Sequence, residues 1–272
     1  MKCINNKDIK DKLDKIKSYL KDMDSVLVAY SGGVDSTLIL KIAYDVLGKS
    51  NVLAVTAKSP LYPESEINAA QKLANELNIR HMIISTDELS NPEFAKNPKH
   101  RCYLCKKELY SKLNQIAAQE GLRYILDGSN KDDTFDHRPG RQAAVEAGVR
   151  SLFEEVGMNK HEIRSISQLM GLPTYDKPSG ACLASRFPYD TKITYDALKK
   201  VEKAEEYIKR CTKVVQVRVR HYGKLCRIEV YEDDIPICIK YRHKIVDMLK
   251  SIGYTYITLD LAGYRSGSMN EE

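Results

Sequence analysis

The sequence contains no run of about 18 uninterrupted apolar residues, so a membrane-spanning helix is not expected. Its opening stretch, MKCINNKDIKDKLDKIKSYL, alternates lysines with aliphatic residues. It has neither an apolar core region nor a small-residue cleavage site, which argues against a secretory leader. Seven cysteines in 272 residues is an odd count, and without an export signal it does not make a disulfide framework. Reduced thiols and a cytoplasmic location are therefore expected. Internal repeats and low-complexity tracts are missing too. The chain also lacks a Walker A sequence and a G-x-G-x-x-G fingerprint, which excludes two common glycine-rich nucleotide loops. The net charge of +6 comes mostly from scattered lysines. That balance suits an anionic ligand such as a nucleotide and falls short of what a nucleic-acid backbone requires.

What is present is an α/β alternation, with 43% apolar and 29% charged residues and enough length for one large domain and a smaller second one. Ile9, Leu13, Ile16 and Leu20 predict an amphipathic first helix. Val26–Ala29 reads as a strand, followed by the turn Ser31 to Ser36, SGGVDS, and a helix stopped by Gly48. Strands at 52–56 and 81–85 flank a helix opened by Pro63, and the polar stretch 88–100 reads as a loop. A helix follows from RCYLCKK to Gly121, then a strand at 124–126 with DGSNKDD at its end. Asn159 and Glu162 resemble a capping box that starts a helix running through Leu169. The order implies a parallel sheet with helices on both faces and a ligand at the carboxyl ends of the strands. After the small-residue loop 177–190 the pattern becomes helix, strand, strand, helix, strand, a small α+β domain. The division expected is 1–180 and 181–272.

A strand turning through two glycines into a helix start exposes backbone N–H groups at the positive end of the helix, where a phosphate chain is well held. Ser31, Gly32, Gly33 and Ser36 are the expected phosphate binders, with Asp35 as a ligand for Mg²⁺. Asp127, Gly128, Asp132 and Asp133 lie at the end of another strand on the same edge; they read either as contacts to a nucleotide or as an ordinary turn. Arg138, Pro139, Gly140 and Arg141 read as a loop able to close over an anion. Cys102 and Cys105 open a helix, so both sulfurs share a face near its positive end, which favours thiolates. With Cys182 they make three thiols, a set that suits either an iron–sulfur cluster with one open iron or persulfide chemistry in which Cys182 is the carrier. A zinc site would require a second knuckle for its remaining ligands. Cys211, Cys226 and Cys238 lie in apolar or β-branched runs and read as buried and inert, while Cys3 stands alone. Gln216, Arg218 and Arg220 alternate with Val215, Val217 and Val219, giving a strand with one polar, basic face: a solvated surface or a binding surface.

SGGVDS resembles the signature of the PP-loop ATP pyrophosphatases, which implies that an acceptor oxygen takes AMP from ATP while pyrophosphate leaves. SGGVDSTL, DGSNKDD, DHRPG, EAGVRS, ASRFPYD and TLDLAGYRSGSMN, spread over most of the chain, are similar to the LarE family of ATP-dependent sulfur transferases. The resemblance implies adenylylation of a carboxylate of pyridinium-3,5-biscarboxylate mononucleotide, and sulfur delivery to give the thiocarboxylate used in the nickel-pincer nucleotide cofactor. It implies ATP, Mg²⁺ and a sulfur source as partners, and a homo-oligomer. One branch of the family sacrifices a cysteine at the position occupied here by Ala181. The three cysteines resemble the other branch, in which Cys102, Cys105 and Cys182 would hold a [4Fe–4S] cluster and, with Asp35, carry the chemistry. By the same similarity Ser185 and Arg186 bind a phosphate, and Arg138, Glu205, Arg218, Arg220 and Glu229 line the substrate site. Two other readings stand beside it: a PP-loop tRNA thiolase, and a non-catalytic nucleotide sensor whose cysteines bind zinc.

Overall fold

Alternation of apolar residues along short strands gives the first sheet two dry faces, and the helices follow from where those faces must be covered. In the computed structural model, which describes residues 6–135, 139–178, 180–265 and 267–270, the elements run in order. They are α1 (Asn6–Met23), β1 (Val26–Ala29), α2 (Val34–Leu47), β2 (Val52–Lys58), α3 (Glu64–Glu76), β3 (Arg80–Ser85), α4 (Pro92–Ala95), α5 (Arg101–Gln119) and β4 (Tyr124–Leu126). Then come α6 (Pro139–Glu146), α7 (Leu152–Glu155), α8 (Lys160–Leu169), α9 (Tyr195–Thr212), β5 (Val217–Tyr222), β6 (Leu225–Val230), α10 (Ile235–Lys240), α11 (Arg242–Ser251) and β7 (Tyr256–Leu259). The chain divides into two compact units, one of 1–59, 64–88 and 100–179, the other of 60–63, 89–99 and 180–272.

In the first unit the strands are parallel, in the order β3-β2-β1-β4. Val26, Val28, Val52, Ala54 and Leu126 point to one core, shared with Ile16 and Leu20 of α1, Leu38 and Ile42 of α2, and Ile163 of α8. Leu27, Leu53, Val55 and Ile125 point to the other, shared with Tyr110 and Leu113 of α5 and Ala143 and Ala144 of α6. The chain builds β1, β2 and β3 in one direction and then returns to add β4 on the far side of β1. That reversal opens a crevice at the carboxyl ends of β1 and β4, the usual ligand position in such sheets.

Several boundaries differ from the sequence reading. β2 continues to Lys58, because its last residues pair with β3. The stretch Pro139–Arg141 begins a helix, α6, instead of forming a loop; a proline in the first turn has no N–H to lose there. The 88–100 stretch holds α4, capped by the Asn91 side chain accepting from Glu93 N–H. The capping box of α8 forms as expected, with Asn159 and Glu162 bonded reciprocally.

In the second unit β5 and β6 form an antiparallel hairpin, and β7 lies parallel to β6. α9, α10 and α11 close its core around Ile208, Val217, Val219, Ile228 and Leu249. The single helix expected between the last two strands is two, meeting at Tyr241. Residues 60–63 and 89–99 join this unit through Asn97. That residue is fully buried, has a left-handed φ of 60° and donates from its amide to the Phe187 and Pro188 carbonyls at 3.3 and 2.6 Å.

Candidate functional site

β1 delivers the chain into SGGVDS, and α2 begins at its end with Gly33 as the residue before the first turn. Gly32 has φ +70°, and a Cβ there would meet Ala70 Cβ at 2.8 Å. Both facts require glycine. The loop closes on its own hydroxyls. Ser31 N–H donates to Ser36 Oγ at 3.2 Å, Ser36 Oγ–H reaches the Gly33 carbonyl at 3.3 Å, and Gly33 N–H donates to Ser31 Oγ at 3.3 Å. The two hydroxyls are 3.0 Å apart. A phosphate oxygen is a stronger acceptor than a hydroxyl and can take over these N–H groups.

Asp35, in the first turn of α2, is ion-paired with Lys160 at the start of α8, and Asn130 Nδ2 lies 3.5 Å from its other oxygen. Lys177 donates to the Gly32 carbonyl at 3.0 Å and pairs with Glu66 at 2.7 Å. Neither lysine was singled out in the sequence. Lys160 follows the Asn159 cap, which was the one available signal for it, and Lys177 opens the small-residue loop.

Gly128 brings the end of β4 against the loop, since a Cβ on it would stand 2.8 Å from Ser36 N and 3.0 Å from Asp35 Cβ. Asp127 is buried and already accepts four hydrogen bonds. They come from Tyr110 Oη at 3.0 Å, Ser151 Oγ at 2.6 Å, and Ser129 N and Oγ at 3.1 and 2.9 Å. Its carboxylate thus builds the loop beside the phosphate turn. Asp133 accepts from Asn130 N–H at 3.0 Å and holds a local turn, while Asp132 accepts from Lys160 N–H at 2.8 Å and ties this loop to the start of α8. Arg141 is engaged by Glu154. Arg138 lies outside the described residues.

Cys102 and Cys105 sit in the first turn and a half of α5, one exposed and one partly exposed. Cys105 Sγ donates to Glu88 Oε1 at 3.7 Å, and the buried Glu88 also accepts from Thr86 Oγ1 at 3.0 Å. One residue on, the Lys106 ammonium lies 5.3 Å from the centre of the Tyr110 ring. Its pKa is raised, first by Tyr110 and further by Asp127, against the opposing effect of burial. Gly140 makes room for its stem, as a Cβ there would meet Lys106 Cγ at 3.0 Å. Lys106 is another cation that the sequence reading missed, hidden in a basic run.

Cys182, in the second unit, is a partly exposed free thiol just before the short helical turn Leu183–Arg186. Its carbonyl accepts from Ser185 Oγ at 2.8 Å and Arg186 Nη1 at 3.0 Å. Arg186 is buried and grips Glu205 of α9 with two bonds of 2.8 and 3.0 Å. Burial pushes the Glu205 carboxyl up, but Arg186, Arg218 and the Val219 N–H outweigh it and hold the net pKa below the ordinary range. The polar face of β5 is not solvated: Gln216, Arg218 and Arg220 are buried, and Val215, just before the strand, is exposed. Arg220 bonds Glu229 Oε2 at 2.6 Å, the Ser185 carbonyl at 3.0 Å and Ser268 Oγ at 3.2 Å. Arg218 stacks over Tyr264 at 5.4 Å, its pKa lowered by burial and then by Arg186. Among the described residues, three buried guanidinium groups here lie with two buried carboxylates, Glu205 and Glu229, a basic cluster that suits an anionic ligand.

The remaining cysteines behave differently. Cys226 and Cys238 are buried, and burial pushes their thiols up to about 12 and about 11. Cys211 is partly exposed, and Cys3 lies outside the described residues. Among the described residues no group of three or more His, Cys, Asp or Glu is arranged to hold a metal ion, and no helix is long and apolar enough to cross a membrane.

The family model for NAD synthase matches residues 8–114, from α1 through the phosphate loop into α5. Over 252 residues the chain is 42% identical to the pyridinium-3,5-bisthiocarboxylic acid mononucleotide synthase of Lactiplantibacillus plantarum, covering 93% of this chain and 91% of that protein. It is 44% identical over 264 residues to an uncharacterized protein of Synechocystis sp., covering 96% and 98%. To an NH₃-dependent NAD⁺ synthetase of Chlorobaculum tepidum it is 26% identical over 168 residues, 58% of each chain. The parallel sheet, its glycine loop and these relatives define an ATP-using enzyme of the PP-loop class, a sulfurtransferase. Within that class the chain belongs to the LarE family, that of pyridinium-3,5-bisthiocarboxylic acid mononucleotide synthase.

Proposed function

We propose that this enzyme adenylylates a carboxylate of pyridinium-3,5-biscarboxylate mononucleotide and converts it to the thiocarboxylate, a step in making the nickel-pincer nucleotide. The observation that carries the reading is the 42% identity to the synthase across nearly the whole chain. In the first step a carboxylate oxygen attacks the α-phosphorus of ATP, the bond to the β-phosphate oxygen breaks, and pyrophosphate leaves with its electron pair. In the second step a sulfur nucleophile attacks the activated carbonyl carbon, and AMP leaves with the oxygen.

Ser31, Gly32, Gly33 and Ser36 present the N–H and hydroxyl groups for the phosphates, and Asp127 and Gly128 shape the adjoining wall. Asp35, whose carboxylate is paired with the Lys160 ammonium, is the residue that would hold Mg²⁺ on the phosphates. Ser185, Arg186, Arg218 and Arg220, balanced by Glu205 and Glu229, supply the basic cluster that suits the mononucleotide phosphate or pyrophosphate, with Arg138 as a further contact. We assign ATP activation to residues 1–180, and substrate binding and sulfur transfer to 181–272.

If a [4Fe–4S] cluster is the sulfur source, the residues to hold it would be the thiols of Cys102, Cys105 and Cys182. These three thiols lie outside the hydrophobic cores, and the first two are one turn apart on α5. When bound, such a cluster would supply an open iron able to hold an extra sulfide. A homo-oligomer completes the proposal.

The test is pyrophosphate release with ATP, Mg²⁺ and the mononucleotide. The Asp35→Asn protein should lose at least about a hundredfold in rate, as loss of a charge-stabilising group does. Undiminished release in Asp35→Asn, or no release by the wild type, would overturn the reading.

A further inference from the structure

The peptide that enters the phosphate loop, between Tyr30 and Ser31, is tied at both ends. Its N–H donates to Ser36 Oγ at 3.2 Å. Its carbonyl accepts from Thr56 Oγ1 at 2.7 Å. Thr56 is buried on β2, and the same hydroxyl oxygen lies 2.8 Å from His81 Nε2 on the edge strand β3. A threonine hydroxyl has one proton to give. The Tyr30 carbonyl can only accept, so the Thr56 proton goes to it, and the contact with the histidine must be one in which Nε2–H donates. One arrangement of protons therefore satisfies all three groups: His81 Nε2–H to Thr56 Oγ1, and Thr56 Oγ1–H to the Tyr30 carbonyl.

The imidazole is fixed from a second direction. Its ring meets the Tyr30 ring edge to face, with centroids 5.7 Å apart and planes at 85°. Burial lowers the pKa of His81, which favours the neutral ring whose tautomer this chain of bonds selects. The hydroxyl ties through Ser31 and Ser36 are local to the motif, and Lys177 holds the Gly32 carbonyl from outside it. The tie through Thr56 reaches two strands away, to a residue that no part of SGGVDS marks.

We propose that His81 is a positioning residue for ATP: acting through Thr56, it fixes the carbonyl at the loop entrance and so the aim of the Ser31 and Gly33 N–H groups. The inference rests on the reading of SGGVDS as the ATP phosphate loop. It differs from a packing role in one respect, since it depends on a single N–H at the Nε2 position and a single hydroxyl on residue 56.

The experiment uses calorimetric titration of the full chain with ATP and Mg²⁺, which reports Kd and the number of binding-competent molecules separately. Glutamine can place an amide N–H where Nε2 stands, whereas asparagine falls one carbon short. His81→Gln and Thr56→Ser should therefore stay within about twofold of wild type, while His81→Asn and Thr56→Val weaken ATP binding roughly tenfold, the scale of one lost buried hydrogen bond. KM for the mononucleotide should not move. A wild-type ATP Kd in both His81→Asn and Thr56→Val would overturn the inference. So would a His81→Gln protein as impaired as His81→Asn, or losses that appear only as fewer competent molecules at unchanged Kd. Ser36→Ala tests the underlying reading: unchanged ATP affinity there would overturn the loop assignment and the inference with it.

Discussion

Gly128 has no room for a side chain, because a Cβ would press on the Ser36 nitrogen and the Asp35 backbone, neither of which can turn aside. Gly128→Ala should leave the protein folded and raise KM for ATP roughly tenfold or more, since displacing a binding group by about an ångström has effects of that order. Steady-state kinetics in ATP reads it, and an unchanged KM would mean that β4 does not set the loop. The cysteines sort by environment in the same local way. In the native protein iodoacetamide at neutral pH should modify Cys102 first, while Cys226 and Cys238, protonated and buried, react only after denaturation; peptide mass mapping distinguishes the two sets. SGGVDS and C-x-x-C were legible in the sequence because each is a contiguous motif whose chemistry is local. The saturation of Asp127 was not, since its donors Tyr110 and Ser151 come from elements far away in the chain. Lys160, Lys177 and Lys106 were equally hidden. In a chain with 43 lysines and arginines, only packing tells a placed cation from a solvated one.

Among the elements, the alternation along β5 correctly gave a strand with one basic face. It could not tell which face is covered, because a period of two is the same on a solvated strand and a buried one. The basic face is covered by the Ser185 carbonyl and Ser268 on Arg220 and by Tyr264 on Arg218, while α9 packs on the valine face, where its Glu205 takes Arg186 in a bidentate pair and also accepts from Val219 N–H at 2.9 Å. Removing one partner leaves the other charged and buried, so Glu205→Ala should cost about 3–5 kcal/mol in urea unfolding. The double variant Arg186→Met/Glu205→Leu should lose clearly less. The pH dependence has a definite sign. The folded carboxyl titrates below its ordinary 4.5, so its contribution is complete above that value and is lost as pH falls through the folded pKa. An advantage over Glu205→Gln that grows on acidification would contradict the pairing. The helix at Pro139–Glu146 was missed for a related reason: Arg-Pro-Gly-Arg has the composition of a turn, while the helix is stabilised by Ala143 and Ala144 packing on the sheet.

For the whole molecule, the strand–helix alternation was enough to expect the parallel sheet, its helices on both faces and the edge where the loop lies. Less visible was the discontinuous make-up of the second unit, which recruits 60–63 and 89–99 from the first half of the chain. That recruitment depends on the buried Asn97 amide and on pairings such as Ile193 N–H to the Ala95 carbonyl at 2.8 Å, and neither follows a repeat. The central claim is the proposal that ATP activation on the first sheet serves repeated sulfur transfer without loss of a protein sulfur. Its most direct test is an anaerobic reaction of the reconstituted protein with ATP, Mg²⁺ and pyridinium-3,5-biscarboxylate mononucleotide, with product and intact-protein masses measured on the same sample. The account predicts more than one thiocarboxylate formed per chain with the protein mass unchanged. A single product per chain, with a protein lighter by one H₂S, would contradict it.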